Sequence, residues 1–185
     1  MSHKHALTIK GEGVQRALKS LVGVSIPFTG DPKLQKDIII KTYQGIWDTG
    51  ATNTVITKKI VNELNLQPTG KTDVDTANGK VPNVDTYLVN INLPMNVNVQ
   101  GVTVTEGNLP SDEDILIGMD IITLGDFTIT NLDGKTKMTF GIPSIHSYDY
   151  VERVNENNTK LAAKQKCPCG SGKKHIYCHG KQKNN

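Results

Sequence analysis

The sequence predicts a mainly β domain with short helices, followed by a small metal-binding segment near the C-terminus. Between positions 23 and 145, short apolar runs alternate with turn residues at the spacing typical of a small barrel or sandwich. All three cysteines of the 185-residue chain lie between Cys167 and Cys178, which favours a metal site over a disulfide framework. Residues 160–185 carry seven lysines and no acidic residue, whereas residues 1–159 have a net charge of −4. This asymmetry indicates two separate units.

The strands of the predicted β domain follow from alternating apolar residues and from the turn signals between them. They are expected at residues 24–26, 38–40, 46–47, 81–93 (as one or two strands), 97–105, 127–130 and 137–140. A turn is expected around Gln44-Gly45, and Asp133-Gly134 gives a strong hairpin signal between the last two strands. Residues 57–64 are predicted to form a short helix with Thr57 as its N-cap.

Two regions outside these strands have weaker patterns. Residues 1–22 form an N-terminal segment, in which residues 14–22 fit a short amphipathic helix. Residues 146–165 keep only a thin apolar stripe among charged and amide side chains. They predict a helix or a linker between the β domain, residues 23–145, and the cysteine-containing segment, residues 166–181.

The sequence also bears on location. It carries no run of 18 apolar residues, so it predicts no transmembrane helix and no membrane partner. The charged N-terminus, Met1 to His5, is not followed by the apolar run of a secretory signal. Because the cysteines are also clustered in a metal-binding pattern, we expect a protein of the reducing cytoplasm.

The most informative motif of the chain is Asp48-Thr49-Gly50, which follows an apolar pair at residues 46–47. A strand that ends in this tripeptide presents a carboxylate at a tight turn. A second apolar segment, residues 115–118, ends in glycine and can therefore pass close behind that turn. The tripeptide alone is also common in ordinary turns, because Asp and Gly favour turn conformations.

The two segments together resemble the retropepsin-like aspartic peptidases, and the resemblance covers roughly residues 23–142. It implies a closed β-barrel domain that hydrolyses a polypeptide substrate with a water molecule activated by two aspartates, without a catalytic cofactor. Because the chain has one such motif, the resemblance implies a homodimer in which both subunits contribute Asp48. Thr49 would link the two subunits, and Gly50 would leave its amide accessible to a carboxylate.

Residues 77–80 fall where retropepsins carry the flap, a mobile hairpin that closes over the substrate. The resemblance therefore implies a substrate-binding role for Asn78 and Gly79, although an ordinary Asn-Gly hairpin fits the same residues. Trp47 departs from the smaller aliphatic residue often found before the catalytic aspartate of retropepsins.

Other acidic residues near the second apolar segment have no catalytic motif. Residues 112–114 are expected to form a solvated turn before the strand that begins at Ile115. Asp120 is expected to cap or salt-bridge a short helix rather than to act in catalysis.

The cysteines form the pattern C-x-C-x8-C-H, which supplies the candidate metal ligands Cys167, Cys169, Cys178 and His179. Three thiolates and one imidazole suit a structural Zn²⁺ ion, and four protein ligands leave no open position for catalysis. His175 is an alternative imidazole for the fourth position. Residues 166–181 resemble the SEC-C motif, which is found at the tail of the bacterial preprotein translocase motor and in many other bacterial proteins.

The sequence therefore predicts a bacterial, homodimeric aspartic endopeptidase with a zinc-binding tail for recruitment. The lysines of the tail are expected to attract an acidic protein face, RNA or the ribosome, or only to keep the chain soluble. The alternative function is that of a non-catalytic peptide-binding or adaptor protein that uses the retropepsin fold and the zinc tail.

Overall fold

The computed structural model describes residues 3–28, 38–76, 79–109 and 112–179, apart from the side chains at 158–159 and 161–163. The chain divides into two compact units. Residues 1–145 are called the β domain below, and residues 146–185 are called the C-terminal unit.

The described part of the β domain contains ten strands and two short α-helices. The strands are β1 (His5–Lys10), β2 (Leu18–Ser25), β3 (Lys41–Trp47), β4 (Val55–Ile56), β5 (Gly70–Thr76), β6 (Gly79–Leu93), β7 (Val97–Glu106), β8 (Ile115–Ile117), β9 (Asp126–Thr130) and β10 (Lys137–Ile142). The helices are α1 (Lys58–Glu63) and α2 (Met119–Ile122), and short 3₁₀ turns lie at Pro94–Asn96 and Leu132–Gly134.

Six of these strands pair in a ring. β2 pairs with β3, the order continues through β8, β4, β7 and β6, and β6 returns to pair with β2. β5 extends this sheet as a hairpin with β6, and a second, antiparallel sheet has the order β1, β10, β9. The prediction of a mainly β fold with short helices is confirmed, and the ring of pairings is consistent with a barrel.

The core of the β domain is built from side chains that alternate along the strands, as expected for strands with one buried face. The fully buried aliphatic side chains include Val22, Val24, Ile56, Ile60, Val89, Ile91, Val104, Ile115, Ile117 and Ile121. They surround β8, whose three residues lie between β3 and β4. This burial fixes the strand ends from which the Asp48 turn begins.

The helix predicted over residues 14–22 is wrong, because this segment leads into strand β2. Within β2, Val22 and Val24 are buried and Leu21 is 56% exposed, so the pattern has the period of a strand. The backbone of β2 pairs with both β3 and β6. Pairing on both sides therefore outweighs the weak helical periodicity of the isolated segment.

The turn predicted around Gln44-Gly45 is also wrong, because both residues lie inside β3, and residues 38–40 do not form the strand predicted there. Gly45 is required by packing and not by a turn. A Cβ atom at this position would lie 2.5 Å from Cγ2 of Val22 and 3.3 Å from Cγ2 of Ile115. The glycine thus lets β2 and β8 approach β3 on both sides.

The C-terminal unit begins with helix α3 (Tyr150–Lys164), within the segment predicted as a helix or linker. A single antiparallel bridge between Lys166 and Lys174 follows, and a short 3₁₀ helix spans His175–Tyr177. Among the described residues, the helices are too short or too polar to cross a lipid bilayer.

Candidate active site and metal centre

Asp48 lies directly after β3, where the strand leaves the core. Its backbone N–H donates to the carbonyl oxygen of Ile117 at 3.0 Å, which continues the parallel pairing of β3 with β8. One carboxylate oxygen, Oδ1, accepts a hydrogen bond from the backbone N–H of Gly50 at 2.8 Å. Asp48 is half-buried, while Thr49 and Gly50 are exposed. The turn therefore presents an oriented carboxylate at the surface of the domain.

The strands before and after the Asp48 turn both pair with β8. β3 pairs with β8 in parallel and β4 pairs with it antiparallel, so the turn between them passes over the end of β8. Gly118 follows β8 at this crossing. A Cβ atom at Gly118 would lie 2.5 Å from the carbonyl carbon and 2.6 Å from the carbonyl oxygen of Asn53. The predicted close approach of residues 115–118 behind the turn thus requires glycine for a steric reason.

The side chains of Thr54 and Asp120 stabilise this crossing through hydrogen bonds. The Thr54 hydroxyl donates to Oδ1 of Asp120 at 2.8 Å, and the Thr54 N–H donates to Oδ2 at 3.0 Å. The N–H of Gly118 donates to the Thr54 hydroxyl at 3.1 Å. Thr54 is fully buried. Asp120 thus holds the loop through Thr54, and within the first turn of its own helix it accepts a hydrogen bond from the N–H of Ile121 at 3.0 Å rather than serving as the N-cap.

Trp47 is accommodated by an aromatic cluster between the two sheets. Its ring stacks on Phe127 with centroids 5.7 Å apart and meets Phe140 edge-on at 5.5 Å. The indole Nε1 donates to the hydroxyl of Ser20 at 3.0 Å. The departure from a smaller aliphatic residue therefore leaves the polar atom of Trp47 satisfied and the side chain buried.

A groove of about 440 Å³ runs beside the Asp48 turn. It is lined by Val14, Gln15, Arg16, Ala17, Leu18, Ile46, Trp47, Asp48, Thr49, Phe127, Ile129 and Asn131. The charged residues among these are Arg16 and Asp48. Val14 and Ile129 are apolar and yet 63% and 44% exposed. The groove beside the carboxylate thus combines exposed apolar side chains with polar ones.

The predicted flap falls on the hairpin of β5 and β6. Thr76 and Gly79 are paired across the hairpin end, and Gly79 has a φ of 110°, which favours glycine. Asn78 lies outside the described residues. The hairpin is exposed along β5 and along the first part of β6. No pairing other than with β6 is seen for the described residues of β5.

The solvated turn predicted at residues 112–114 is only partly correct. Asp112 is exposed, but Glu113 is 6% exposed and forms an ion pair with Lys19. The hydrogen bond from Lys19 holds the pKa of Glu113 below its ordinary value. Asp114 pairs with Lys59 at 3.1 Å. Glu113 and Asp114 therefore connect the loop before β8 to the rest of the β domain through ion pairs.

The four candidate metal ligands of the C-terminal unit come together. The sulfur and nitrogen donor atoms of Cys167, Cys169, Cys178 and His179 all lie within 4.8 Å of one another. The two sulfurs of Cys169 and Cys178 are 3.5 Å apart, and Nδ1 of His179 lies 3.2 Å from the sulfur of Cys167. A tetrahedral zinc site with bonds of about 2.3 Å places its donor atoms roughly 3.5–4 Å apart. The donor set therefore fits Zn²⁺, and the spacing of the Cys169 and Cys178 sulfurs agrees with this geometry.

The backbone around the cluster supports these ligands. The N–H of Cys167 donates to the carbonyl oxygen of Lys173 at 2.8 Å, which folds the two halves of the segment together. The backbone N–H of Cys169 holds the pKa of the Cys167 thiol below its ordinary value, and the Ser171 hydroxyl does the same for Cys169. The imidazole of His175 is not part of the cluster, and the backbone N–H of His175 donates to the carbonyl oxygen of Gln165 at 2.8 Å.

Comparison with known proteins places these features in context. Residues 38–123 match a family model described as "gag-polyprotein putative aspartyl protease". In a search of curated proteins, the protein translocase subunit SecA of Ehrlichia canis (strain Jake) is 53% identical over 30 residues, which make up 16% of this chain. The matching segment spans only 4% of that protein.

Solved proteases are among the structures to which this chain is similar. A retropepsin-like aspartic protease from Rickettsia conorii is 15% identical, with a TM-score of 0.47 and coverage of 74% of this chain and 93% of that one. The EIAV protease complexed with the inhibitor HBY-793 is 17% identical, with a TM-score of 0.43 and coverage of 59% and 88%. The family-model match, which includes the Asp48 turn and Gly118, supports a retropepsin-like fold for this part of the chain.

Proposed function

We propose that the β domain is an aspartic endopeptidase whose catalytic group is a pair of Asp48 side chains from two subunits. The observation that carries the proposal is the oriented carboxylate of Asp48, held by the N–H of Gly50 at the end of a strand with one buried face. The match of residues 38–123 to an aspartyl protease family supports a peptidase function in general.

The proposed chemistry needs two carboxylates. One, when ionised, takes a proton from a water molecule, and the other, when protonated, donates a proton to the carbonyl oxygen of the peptide bond. Two carboxyl groups about 3 Å apart share one proton, because both cannot be ionised at that distance without strong repulsion. Since the chain carries one Asp-Thr-Gly sequence, the second carboxylate comes from a second copy.

The surface around Asp48 is suited to a second copy. Thr49 is exposed beside Asp48, where it can contact its counterpart across a two-fold axis. Val14 and Ile129 expose apolar surface in the adjoining groove, and burial of such surface favours association. In this proposal the hairpin that contains Gly79 and Asn78 closes over the substrate.

We also propose that the C-terminal unit binds one structural Zn²⁺ ion through Cys167, Cys169, Cys178 and His179. The ion supplies folding energy to a segment in which Cys167 is the one buried ligand. Its four protein ligands fill a tetrahedral shell, so the ion has no part in peptide hydrolysis. The identity shared with a SecA subunit supports a resemblance to the SEC-C motif. This unit would serve to recruit the peptidase to a partner.

The test is peptide-library cleavage by the wild-type protein and by Asp48→Asn. We expect the variant to lose at least about 100-fold in rate, because an amide cannot share or transfer the proton. The matched control is Asp133→Asn, which changes an exposed acid at a φ of 53° that Asn also adopts readily. Asp133→Asn should cleave at the wild-type rate.

Two results would contradict the proposal. Wild-type rates for Asp48→Asn would exclude an aspartic mechanism. Peptide binding without cleavage by the wild-type protein, from acidic to neutral pH, would favour the alternative of a non-catalytic peptide-binding protein. Sedimentation of the wild-type protein at micromolar concentration tests the dimer, because a monomer that cleaves peptides would remove the need for two Asp48 side chains.

A further inference from the structure

Three exposed lysines surround the metal-ligand cluster of the C-terminal unit. Lys166 and Lys174 are partners across the antiparallel bridge, and Lys173 lies beside them. The bridge is held by two backbone hydrogen bonds of 2.8 Å, from Cys167 to Lys173 and from His175 to Gln165. The positions of these lysine backbones are thus fixed by the same fold that gathers the metal ligands.

The pairing of Lys166 with Lys174 sets two like charges opposite each other. Like charges at directly opposed positions are unfavourable unless an anion lies between them or near both. The last acidic residue of the chain is Glu156, so residues 157–185 offer no carboxylate side chain to these lysines. The residues that directly flank these lysines therefore supply no anion to offset their charge, which leaves the surface open to an external one.

Bound zinc does not neutralise the surface. Three thiolates and one neutral imidazole give a Zn²⁺ site a net charge of about −1. The four exposed lysines at positions 164, 166, 173 and 174 more than offset this charge. The zinc-loaded segment is thus clearly positive, and its field attracts polyanions.

Exposed apolar and aromatic side chains adjoin the lysines. Tyr177 is 67% exposed and Ile176 is 43% exposed, on the short helix that directly follows Lys174. An exposed aromatic ring beside fixed cations is the combination that binds single-stranded nucleic acids, in which the lysines contact phosphates and a base stacks on the ring. An acidic protein face would use the lysines but would gain little from the tyrosine ring.

We propose that the C-terminal unit binds single-stranded nucleic acid, with Lys166, Lys173 and Lys174 on the phosphates and Tyr177 stacked on a base. This binding does not depend on the proposed peptidase activity, because the β domain contributes none of these residues.

The experiment measures fluorescence anisotropy of a labelled oligouridine of about 12 nucleotides with the full-length, zinc-loaded protein over a range of salt concentrations. Lys166→Gln/Lys174→Gln should weaken binding at least tenfold and reduce the slope of log K against log salt by about 1.4, at about 0.7 per phosphate contact. The matched control, Lys58→Gln/Lys135→Gln, removes the same charge from exposed lysines of the β domain. It should bind as the wild type does.

A second pair of variants tests the stacking. Tyr177→Ala should weaken binding by about 5- to 150-fold, whereas Tyr150→Ala, which removes another exposed tyrosine, should not. Zinc content, measured for each variant, reports that the fold around the metal is retained. Equal losses in the two double-lysine variants, or full binding by Tyr177→Ala, would overturn the proposal. Tighter binding of polyglutamate than of oligouridine would also overturn it, and would indicate an acidic protein partner.

Discussion

Asp48 and the four metal-ligand candidates occupy contrasting surroundings. Asp48 follows a strand that packs one face into the core, and its turn is fixed by a backbone bond to β8 and by the hydrogen-bonded pair of Thr54 and Asp120. In the C-terminal unit, Cys167 is buried, but Cys169 and His179 are exposed. The packing of the β domain thus orients the Asp48 carboxylate, whereas the C-terminal unit has little buried structure to orient its candidate ligands.

The two regions therefore depend on different contributions to the free energy of folding. Burial of apolar surface contributes roughly 25 cal/mol per Å², and the β domain has a continuous core to supply it. The segment around the cysteines is too short for such a core, so in our proposal metal binding contributes its folding free energy. The two regions should therefore respond independently to changes that affect one term alone.

Metal removal is expected to have the largest effect. A chelator, or the variant Cys169→Ser, should unfold the segment at residues 166–179, because the binding free energy of such sites is on the order of 10 kcal/mol. The β domain should keep its thermal unfolding temperature and its rate of peptide cleavage. Metal analysis together with limited proteolysis detects both outcomes, and a chelator that also unfolds the β domain would contradict the comparison.

A second prediction applies the same contrast to the backbone of the β domain. Gly118→Ala should lower the free energy of unfolding by about 1–3 kcal/mol and reduce peptide cleavage at least tenfold, because a Cβ atom there collides with the backbone at Asn53. Zinc content should not change. The control is Gly13→Ala, since a Cβ atom at Gly13 meets no described atom within 4 Å. Equal stability of the two variants would show that the crossing tolerates a side chain.

A third prediction compares two threonines of the β domain. Thr54→Val should cost about 1–3 kcal/mol, because it removes the hydroxyl that donates to Asp120 and leaves the buried N–H of Gly118 without its acceptor. Thr57→Val should leave stability unchanged or raise it. The Thr57 hydroxyl is buried and has no hydrogen-bond partner among the described residues. Chemical denaturation of both variants gives the comparison directly, and a larger loss for Thr57→Val would be the contrary result.

The sequence was sufficient to predict a candidate site where that site is formed by a local motif. The Asp48 turn and the cysteine cluster were predicted because their residues are contiguous or closely spaced, so their chemistry is visible without the fold. The structure adds the clash that makes Gly118 necessary, and it leaves His175 outside the ligand cluster. Both the mainly β class and the Cys/His grouping are confirmed.

What the sequence could not provide is pairing over long separations. The Thr54–Asp120 bond joins residues 66 positions apart, and no local pattern marks them as partners. A glycine at position 45 suggested a turn, but the glycine is needed because β2 and β8 crowd against β3 at this position. In the same way, Glu113 lies in a run of acids that suggests solvent exposure, and only tertiary contact with Lys19 buries it. The two incorrect expectations and the missed pair share one cause, which is tertiary contact outweighing local composition.

The smallest expected effect concerns this ion pair and pH. Hydrogen bonding to Lys19 lowers the pKa of Glu113 in the folded protein, so its ionised form stabilises the fold. This contribution is present above the ordinary pKa of 4.5 and is lost as pH falls through the lowered folded-state pKa. Glu113→Gln should therefore be less stable than the wild type at neutral pH, and the difference should shrink below pH 4.5.

The control for this measurement is Glu12→Gln, which changes an exposed glutamate of the same domain. Thermal unfolding of both variants and of the wild type, from pH 7 to pH 3, gives the three stability profiles. Glu12→Gln should follow the wild type throughout, because an exposed carboxylate has nearly the same surroundings in the folded and unfolded chain. A gap between Glu113→Gln and the wild type that widens with acid would show that the neutral carboxyl stabilises the loop before β8. The ion pair between Lys19 and Glu113 would then contribute nothing to the stability of the β domain.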